Sequence, residues 1–318
     1  MPTTWSRRGF LMALAAGSAA AVTACRSDPP GTVADDGSVT VDHAFGETKV
    51  PAPPTRVISA GLTGQDCLLA VGVVPIGVTE WFGGQPFAVW PWVGPDLGAA
   101  LAQAQPAVLT LDNGINFEAI TALNPDLIVA TNAGLDQDTY TRLANVAPTI
   151  AQAGQDAFFE PWKDQATAIG AAVFQHDQMQ QLIADIDTRF TTLGTQTPAF
   201  KGKRALLLQG SLDDGELVTT PAGWRTEFLT QLGFEIPEVD ATVPRDRMAE
   251  VLGGADVLIW AADDAETAIL AADPIVAEQG GRNVFTGRDL AAAIAFCSPL
   301  SLPLVADQLP PMLSAALA

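Results

Sequence analysis

Short apolar runs alternate with helix-like segments along most of the chain, and these runs lie at residues 56–60, 73–78, 127–130, 205–208 and 256–260. The segments between them have the spacing of amphipathic helices, as at residues 63–71, 117–123 and 224–232, and a last helix begins at Ser301. Strands that alternate with helices are typical of parallel sheets covered on both faces. The pattern therefore predicts an α/β fold with doubly wound sheets.

Two segments depart from this alternation. Residues 39–50 alternate apolar and polar side chains on both sides of Gly46, which is typical of a β-hairpin. Residues 162–193 carry apolar side chains at the spacing of one long amphipathic helix, which would reach about 45 Å at about 1.5 Å per residue. A helix of that length spans a whole domain, so the sequence predicts two α/β lobes joined by one helix.

The two halves of the chain share a faint internal similarity. Residues 123–129 and residues 252–259 each place an acidic turn before an apolar strand. The similarity indicates either an internal repeat or the rhythm common to any α/β protein.

The N-terminal residues have the pattern of an export signal. Arg7 and Arg8 precede an apolar run from residue 10 to residue 24. The run is shorter than the roughly 20 residues that a transmembrane helix needs, so it predicts a twin-arginine signal peptide. Valine and small residues lead into Cys25, as in a lipoprotein signal, which predicts lipidation of Cys25. Ordinary cleavage after a small residue is the alternative.

These features divide the chain into five parts. We predict a signal peptide at residues 1–24, a tether at 25–38, an N-terminal lobe at 39–160, a backbone helix at 161–196 and a C-terminal lobe at 197–318. The tether is polar and contains Pro and Gly, so it cannot bury enough apolar surface to fold alone. About 290 mature residues suit two lobes better than one core.

The charge balance excludes one class of partner. The chain has 36 acidic and 16 basic residues and a formal net charge of -20. A phosphate backbone needs a basic face, so nucleic acid is not an expected partner. Contact with an anionic membrane is expected through the lipid alone, and the folded part is expected to be a monomer in solvent.

Cys67 and Cys297 are the thiols beyond Cys25. An oxidising compartment permits a disulfide between them. Each lies in an apolar stretch, however, which favours two buried and unpaired thiols.

An ordered set of segments carries a family resemblance. The set comprises the hairpin around Gly46, residues 54–59, residues 118–129, the Trp162-Lys163 opening of the long helix, and residues 255–259. It resembles the helical-backbone class (class III) of ABC importer substrate-binding lipoproteins. More narrowly, it is similar to the iron-siderophore branch that includes ferric-citrate-binding-like proteins of actinobacteria. The resemblance implies a rigid bilobal body with the ligand cleft between its lobes. It also implies that the protein captures a ferric siderophore and delivers it to a permease.

The resemblance also implies two acidic residues that dock against arginines of the transmembrane subunits. Glu118 matches the position in the N-terminal lobe. In the C-terminal lobe Asp246, flanked by Arg245 and Arg247, stands where glutamate is usual, and Glu250 is the other candidate. Charge-assisted pairing of this kind fixes register. The alternative for each is a solvated charge that the dipole favours at a helix start.

Ligand-binding residues are expected at the carboxyl ends of the strands, where open α/β sheets bind. The loops there are rich in aromatic side chains, which give rigid surfaces for a large conjugated ligand, although several of these side chains are expected in the core or between the lobes. The candidates are Thr63, Trp81, Phe82, Asn113, Asn132, Gln209, Trp224, Arg225, Trp260 and Arg288.

Basic residues near these loops are few, and Arg225 and Arg288 are the best candidates. A highly anionic ferric catecholate or citrate would need more positive charge to offset its desolvation. We therefore expect a neutral or weakly charged hydroxamate or mycobactin-like chelate. Arg288 is either an anion clamp or part of a surface salt bridge.

Other functions find less support in the residues. His43 and His176 are the two histidines, both expected at the surface, and Tyr140 is the single tyrosine, so neither a metal site nor His–Tyr ligation of haem is easy to build. Haem held by tryptophan stacking and arginine is the alternative ligand. No Gly-x-Ser-x-Gly or phosphate-loop motif occurs, so neither catalysis nor a resident cofactor is expected. A surface-anchored sensor or scaffold without transport is a third alternative.

The sorting prediction is directly testable. Cys25→Ala should leave export intact but release the protein from membranes, because the acyl chains are the expected anchor. Arg7→Lys with Arg8→Lys should block export, because the arginine pair is the expected address. Cell fractionation and immunoblotting measure both outcomes. A Cys25→Ala protein that stays on membranes after a salt wash would contradict lipidation.

Overall fold

The computed structural model describes residues 29–111, 114–213 and 215–318. The predicted signal peptide, Cys25 and Asn113 lie outside the described residues. A small antiparallel hairpin, β1 (Val39–His43) and β2 (Gly46–Val50), precedes two α/β lobes. The alternating pattern of residues 39–50 correctly predicted this hairpin.

The N-terminal lobe is built on a wholly parallel sheet. Its strands are β3 (Val57–Ser59), β4 (Gly77–Thr79), β5 (Ala107–Leu109), β6 (Leu127–Val129) and β7 (Thr149–Ile150). They lie in the order β5-β4-β3-β6-β7. Its helices are α1 (Gly64–Ala70), α2 (Gly94–Ala104), α3 (Phe117–Ala122), α4 (Gln137–Ala144) and α5 (Trp162–Ala172). Every residue of β3 and β6 is buried, as expected for strands covered by helices on both faces.

A long helix, α6 (His176–Gln196), leads to the C-terminal lobe. The strands of this lobe are β8 (Ala205–Asp213), β9 (Glu216–Thr220), β10 (Thr242–Val243), β11 (Val257–Ala261) and β12 (Asn283–Phe285). Its helices are α7 (Glu227–Gln231), α8 (Met248–Gly253), α9 (Asp264–Ala272), α10 (Pro274–Ala277), α11 (Arg288–Phe296) and α12 (Ser301–Ala316).

The C-terminal sheet is mixed rather than wholly parallel. In the order β10-β9-β8-β11-β12, strand β11 is parallel to β8 and β12, whereas β9 is antiparallel to both β8 and β10. The reversal between β8 and β9 uses Gly215 at φ 85°, a conformation that glycine adopts without steric cost. The apolar runs in the sequence predicted where strands lie, but they did not predict that β9 runs antiparallel to β8.

The internal similarity between the two halves has a structural counterpart. Asp126, just before β6, accepts a hydrogen bond from the backbone N–H of Arg56, just before β3, at 2.8 Å. Asp256, just before β11, accepts one from the N–H of Arg204, just before β8, also at 2.8 Å. In both lobes the aspartate thus fixes the start of a central strand pair, and these hydrogen bonds lower the pKa of each carboxyl against the opposing effect of desolvation.

The predicted single helix over residues 161–196 is two helices, α5 and α6. Phe174 lies between them in the left-handed conformation, with φ 61°. The N–H of Gln175 donates to the carbonyl of Gly170 at 2.8 Å, which closes the end of α5 in the manner of a helix C-terminal motif. Residues 173–175 include no glycine or proline that would signal the break. The 21 residues of α6 alone correspond to about 30 Å.

The turn between α5 and α6 folds the two helices against each other. A Cβ atom at Gly170 would lie 2.6 Å from the Cβ of Met179, so glycine permits this close approach. Helix α5 packs on the hairpin and on α1, whereas α6 packs on α7 and α12. The helix pair therefore connects the two lobes.

Polar contacts reinforce the same connection. Lys163 of α5 donates to Asp187 of α6 at 2.8 Å and to Glu227 of α7 at 2.9 Å. Although desolvation opposes it, the contact with these two carboxylates raises the pKa of Lys163. One continuous apolar cluster also runs from Val39 of the hairpin to Val257 of β11. The lobes therefore share a core along the helix pair.

Two further expectations concern single residues. His43 is buried rather than exposed, with its Nε2 2.9 Å from the Oγ1 of Thr48, and burial lowers its pKa. The expectation of a surface position is wrong because His43 is the inward-facing end of β1. Cys67 and Cys297 are buried and unpaired, as their apolar neighbours predicted.

Within the described ranges, no helix combines the length and apolar character needed to cross a membrane.

Candidate functional site

A cavity of about 760 Å³ lies between the two lobes. Its volume is within the range of small-molecule sites. The N-terminal lobe and the loop before α5 contribute Trp81, Phe82, Gly83, Trp90 and Phe159. The C-terminal lobe contributes strand ends, the start of α9 and one face of α11, with lining residues that include Gln209, Ser211, Thr219, Thr220, Arg225, Asp263, Glu266, Arg288, Ala291 and Ala295. The cavity thus lies at the carboxyl ends of the parallel strands, where the sequence analysis placed its candidate ligand residues.

The wall from the N-terminal lobe is aromatic. Trp81 and Phe82 follow β4, and their ring centroids lie 4.7 Å apart in an edge contact. Trp90 stacks in parallel on Trp92, with centroids 5.2 Å apart. Phe296, from the end of α11 in the other lobe, inserts among these rings and lies 5.1 Å from Trp92 and 5.3 Å from Trp81. The aromatic wall is therefore held by contacts between the lobes as well as within one.

Arg225 supplies a desolvated positive charge to the cavity. Its guanidinium lies 4.8 Å from the ring centroid of Phe159 and 4.6 Å from that of Trp224. Burial lowers its pKa. Among the residues that the structure describes, Arg225 has no ion pair and no hydrogen-bond acceptor. Its donors are therefore available to a ligand.

Arg288 joins the two sides of the cavity. Its Nη2 donates to the carbonyl of Gly83 at 2.7 Å, and its guanidinium lies 5.3 Å from the ring centroid of Trp90. These contacts cross from α11 to the opposite lobe. In the described structure Arg288 forms no salt bridge, so the surface ion pair considered from the sequence is not formed.

Two carboxylates balance the two arginines in the lining. Asp263 and Glu266 form a reciprocal cap at the start of α9, in which the N–H of each residue donates to the carboxylate of the other at 2.8 Å. Counting Arg225 and Arg288 with these two acids, the formal charge of the lining sums to zero. The cavity therefore does not have the excess positive charge that a polyanionic ligand requires.

The structure brings together half of the ten ligand-binding residues predicted from the sequence. Those that line the cavity are Trp81, Phe82, Gln209, Arg225 and Arg288. Trp224 does not line the cavity, although its ring contacts Arg225, which does. Trp260 is fully buried in the C-terminal lobe and donates to Asn283 at 2.9 Å. It lies within β11 rather than beyond its end, so its ring packs in the core.

Thr63 and Asn132 lie outside the cavity lining. Both are buried, and the Nδ2 of Asn132 donates to the Oγ1 of Thr63 at 3.2 Å. Thr63 in turn donates to the Oε1 of Gln165 on α5 at 3.1 Å. These side chains therefore satisfy one another behind the ends of β3 and β6, and the structure gives them no free polar group for a ligand.

Phe159 and the acidic pair of α9 were not predicted as ligand residues. Trp90 is one of the aromatic residues near the strand-end loops, although it was not among the ten candidates. The signal for Phe159 was present, because two adjacent phenylalanines in a polar loop at residues 153–161 are unusual away from a core. Trp90 follows a glycine- and proline-containing loop, so its sequence position did not indicate contact with the opposite lobe. Across the described residues there is no group of three or more His, Cys, Asp or Glu side chains that could hold a metal ion.

Comparison with known proteins agrees with this architecture. The model of the Periplasmic binding protein family matches residues 57–278. A crystal structure of a periplasmic solute binding protein from Mycobacterium smegmatis is 62% identical, with a TM-score of 0.86 over 89% of this chain and 100% of that one. The pneumococcal protein PiaA in complex with ferrichrome has the same fold, at 23% identity and a TM-score of 0.69 over 87% of this chain and 98% of PiaA.

A curated relative is similar over a shorter stretch. The probable siderophore-binding lipoprotein YfiY of Bacillus subtilis is 28% identical over 233 residues, which span 72% of this chain and 66% of YfiY. The family match covers both lobes and most of the residues around the cavity. The chain is therefore a member of the periplasmic binding protein family.

Proposed function

We propose that this protein is the extracytoplasmic substrate-binding component of an ABC importer and that it captures a ferric siderophore. The observation that carries the proposal is the cavity between the lobes, which has an aromatic wall on one side and the unpaired guanidinium of Arg225 on the other. An iron chelate of this kind offers flat conjugated groups for the rings and oxygen acceptors for the arginine. The names of YfiY and of the PiaA complex support the same class of cargo.

The charge of the lining narrows the class of chelate. Two arginines and two carboxylates give no net charge, so a neutral or weakly charged hydroxamate or mycobactin-like chelate fits better than a ferric catecholate or citrate. The proposed function is binding and delivery rather than catalysis. Export through the twin-arginine pathway and anchoring through Cys25 complete the proposal.

Ligand titration tests the proposal. The mature protein should bind one of a panel of ferric hydroxamates, mycobactin-type chelates, citrate, catecholates and haemin, and quenching of Trp81 and Trp90 by a coloured iron complex makes binding visible. Trp81→Ala should weaken binding by about 1 to 3 kcal/mol, because it removes a large part of the aromatic wall. Raising the ionic strength should change the affinity little, because stacked rings are not screened.

The control is Trp260→Phe, which should leave the affinity unchanged because Trp260 lies in the core, away from the cavity. If Trp81→Ala leaves the affinity unchanged and the affinity falls steeply as the ionic strength rises, the ligand is a polyanion held by Arg225 and Arg288. If haemin is the one member of the panel that binds tightly, the cargo is haem rather than a siderophore.

Delivery requires a surface that the permease recognises, and we propose Glu118 and Asp246 as its two acidic contacts. Both are exposed. Helix α3 is already capped by Asn116, which accepts from the N–H of Ala119 at 3.0 Å, so Glu118 is not needed for that role. The arginines beside Asp246 pair elsewhere, Arg245 with Asp273 and Arg247 with Asp240, which supports a free carboxylate at Asp246.

Glu118→Ala should abolish uptake of the iron chelate by cells while leaving the affinity of the purified protein unchanged, because the side chain faces solvent rather than the cavity. Radioactive iron uptake measures the first effect and fluorescence titration the second. Glu47→Ala, an exposed acid on the hairpin, is the matched control and should take up iron normally. Weaker ligand binding by Glu118→Ala would count against the docking role.

A further inference from the structure

Asp66 is a fully buried carboxylate between the two lobes. It lies in the first turn of α1, and its Oδ2 accepts hydrogen bonds from the Nε1 of Trp92 at 2.9 Å and from the Oγ of Ser298 at 2.5 Å. Its Oδ1 is buried with no partner among the described residues. Burial raises its pKa to about 6, although the two hydrogen bonds act in the opposite direction. Stability alone does not explain a carboxylate here, because an apolar or amide side chain would avoid the desolvation cost.

The two donors come from different lobes. Trp92 belongs to the N-terminal lobe and stacks on Trp90, which lines the cavity. Ser298 belongs to the junction between α11 and α12, two residues after Phe296, which inserts among the aromatic rings. One carboxylate oxygen thus connects the tryptophan wall to the end of the helix that carries Arg288.

The direction of the hydrogen bond from Ser298 is fixed by its neighbours. The Oγ of Ser298 accepts from the N–H of Ser301 at 3.0 Å, at the start of α12. Its own proton is therefore free to be donated to Asp66. The Oγ of Ser301 donates in turn to the carbonyl of Ala293 in α11 at 2.9 Å. A shift at Ser298 would therefore move α11, whose other face lines the cavity.

We propose that Asp66 is a positioning residue for ligand binding, which holds the junction of α11 and α12 against the Trp90–Trp92 pair and so fixes the width of the cavity. This inference builds on the proposed binding function. Asp66 acts through Trp92 and Ser298 and does not itself line the cavity. Charge-assisted hydrogen bonds are about twice as strong as neutral ones, so the ionised carboxylate holds both donors better than a neutral group would.

The titratable groups around Asp66 are few. Its own helix carries the buried thiol of Cys67, whose pKa is raised by burial and by the charges of Asp66 and Glu160. Helix α5, which packs on α1, carries Lys163 and Asp164 and is preceded by Glu160. The junction at residues 297–301 and the segment at residues 90–93 carry no charged side chain; the thiol of Cys297 is the junction's titratable group.

Glu160 needs a separate control because burial also raises its pKa, to about 7. Its Oε2 accepts from the N–H of Ala153 at 2.7 Å, within the loop before α5, and its carboxylate forms no hydrogen bond with Trp92 or Ser298 in the described structure. Glu160→Gln therefore removes a second buried carboxylate of similar pKa without touching Trp92 or Ser298.

The test compares the mature protein with Asp66→Asn, Ser298→Ala and Glu160→Gln, using a ferric trihydroxamate as the probe. Between about pH 7.5 and about pH 5, the unsubstituted protein should lose affinity about three- to tenfold as Asp66 takes up its proton. The affinity of Asp66→Asn for the probe should not change with pH and should equal the affinity of the unsubstituted protein at about pH 5. Ser298→Ala should weaken binding at about pH 7.5. Adding it to Asp66→Asn should have little further effect, because Asp66→Asn has already weakened the hydrogen bond that Ser298→Ala removes.

Stability distinguishes positioning from folding. Because the pKa of Asp66 in the folded protein is above its ordinary value, its ionisation weakens folding as the pH rises from about 4 to about 6. Asp66→Asn should therefore have an unchanged or higher Tm at about pH 7.5 while binding more weakly. Glu160→Gln should keep the pH dependence of the affinity.

A second readout needs no ligand. Hydrogen exchange at residues 297–301 should be faster in Asp66→Asn and Ser298→Ala than in the unsubstituted protein or Glu160→Gln. Asp66→Asn with full affinity at about pH 7.5 and unchanged exchange would overturn the inference. If the probe does not bind the unsubstituted protein, the hydroxamate assignment fails, and the exchange comparison still decides the role of Asp66.

Discussion

The insertion of residues 296–301 from the C-terminal lobe into the N-terminal lobe constrains the rest of the molecule. Phe296 lies among the rings of Trp81 and Trp92, and Leu300 packs against the apolar cluster around Leu69 of α1. Separating the lobes would expose these apolar surfaces to solvent and would remove the van der Waals contacts that they make in the close-packed structure. Together with the α5–α6 pair, the insertion gives two separate connections between the lobes. A protein held at two places has a cavity that is largely formed before the ligand arrives.

The same contacts explain why the aromatic wall suits a ligand. Rings that are already fixed by neighbouring rings lose little conformational freedom when a ligand stacks on them, so more of the contact energy appears as affinity. Arg225 is also held in place, because its guanidinium contacts the rings of both Phe159 and Trp224. The cavity therefore presents fixed rings and the guanidinium of Arg225, which has no ion pair among the described residues. For the proposed ligand, specificity would follow from its shape and from an acceptor placed at this guanidinium.

The sequence predicted the helices and strands better than the segments that connect them. Alternation and apolar runs located the hairpin and the central strands of both lobes, because these patterns follow from local periodicity. The break at Phe174 was not predictable, because a phenylalanine in the left-handed conformation has no local signature. Trp81 was placed correctly because it follows a strand, whereas Trp260 was misplaced because position near a strand end does not tell core from cavity. Asp66 and Phe159 depend on contacts between distant segments, which no local pattern contains.

The distance between the lobes tests the central claim that the cavity is preformed. Spin labels at Asp138→Cys and Glu278→Cys, both exposed, would report this distance by pulsed electron resonance in the chain without residues 1–25, since Cys67 and Cys297 are buried. With and without a bound iron chelate, the account predicts one narrow distribution that shifts by no more than about 3 Å, as expected for a pre-organised site. A broad distribution that contracts by about 10 Å or more on binding would contradict it.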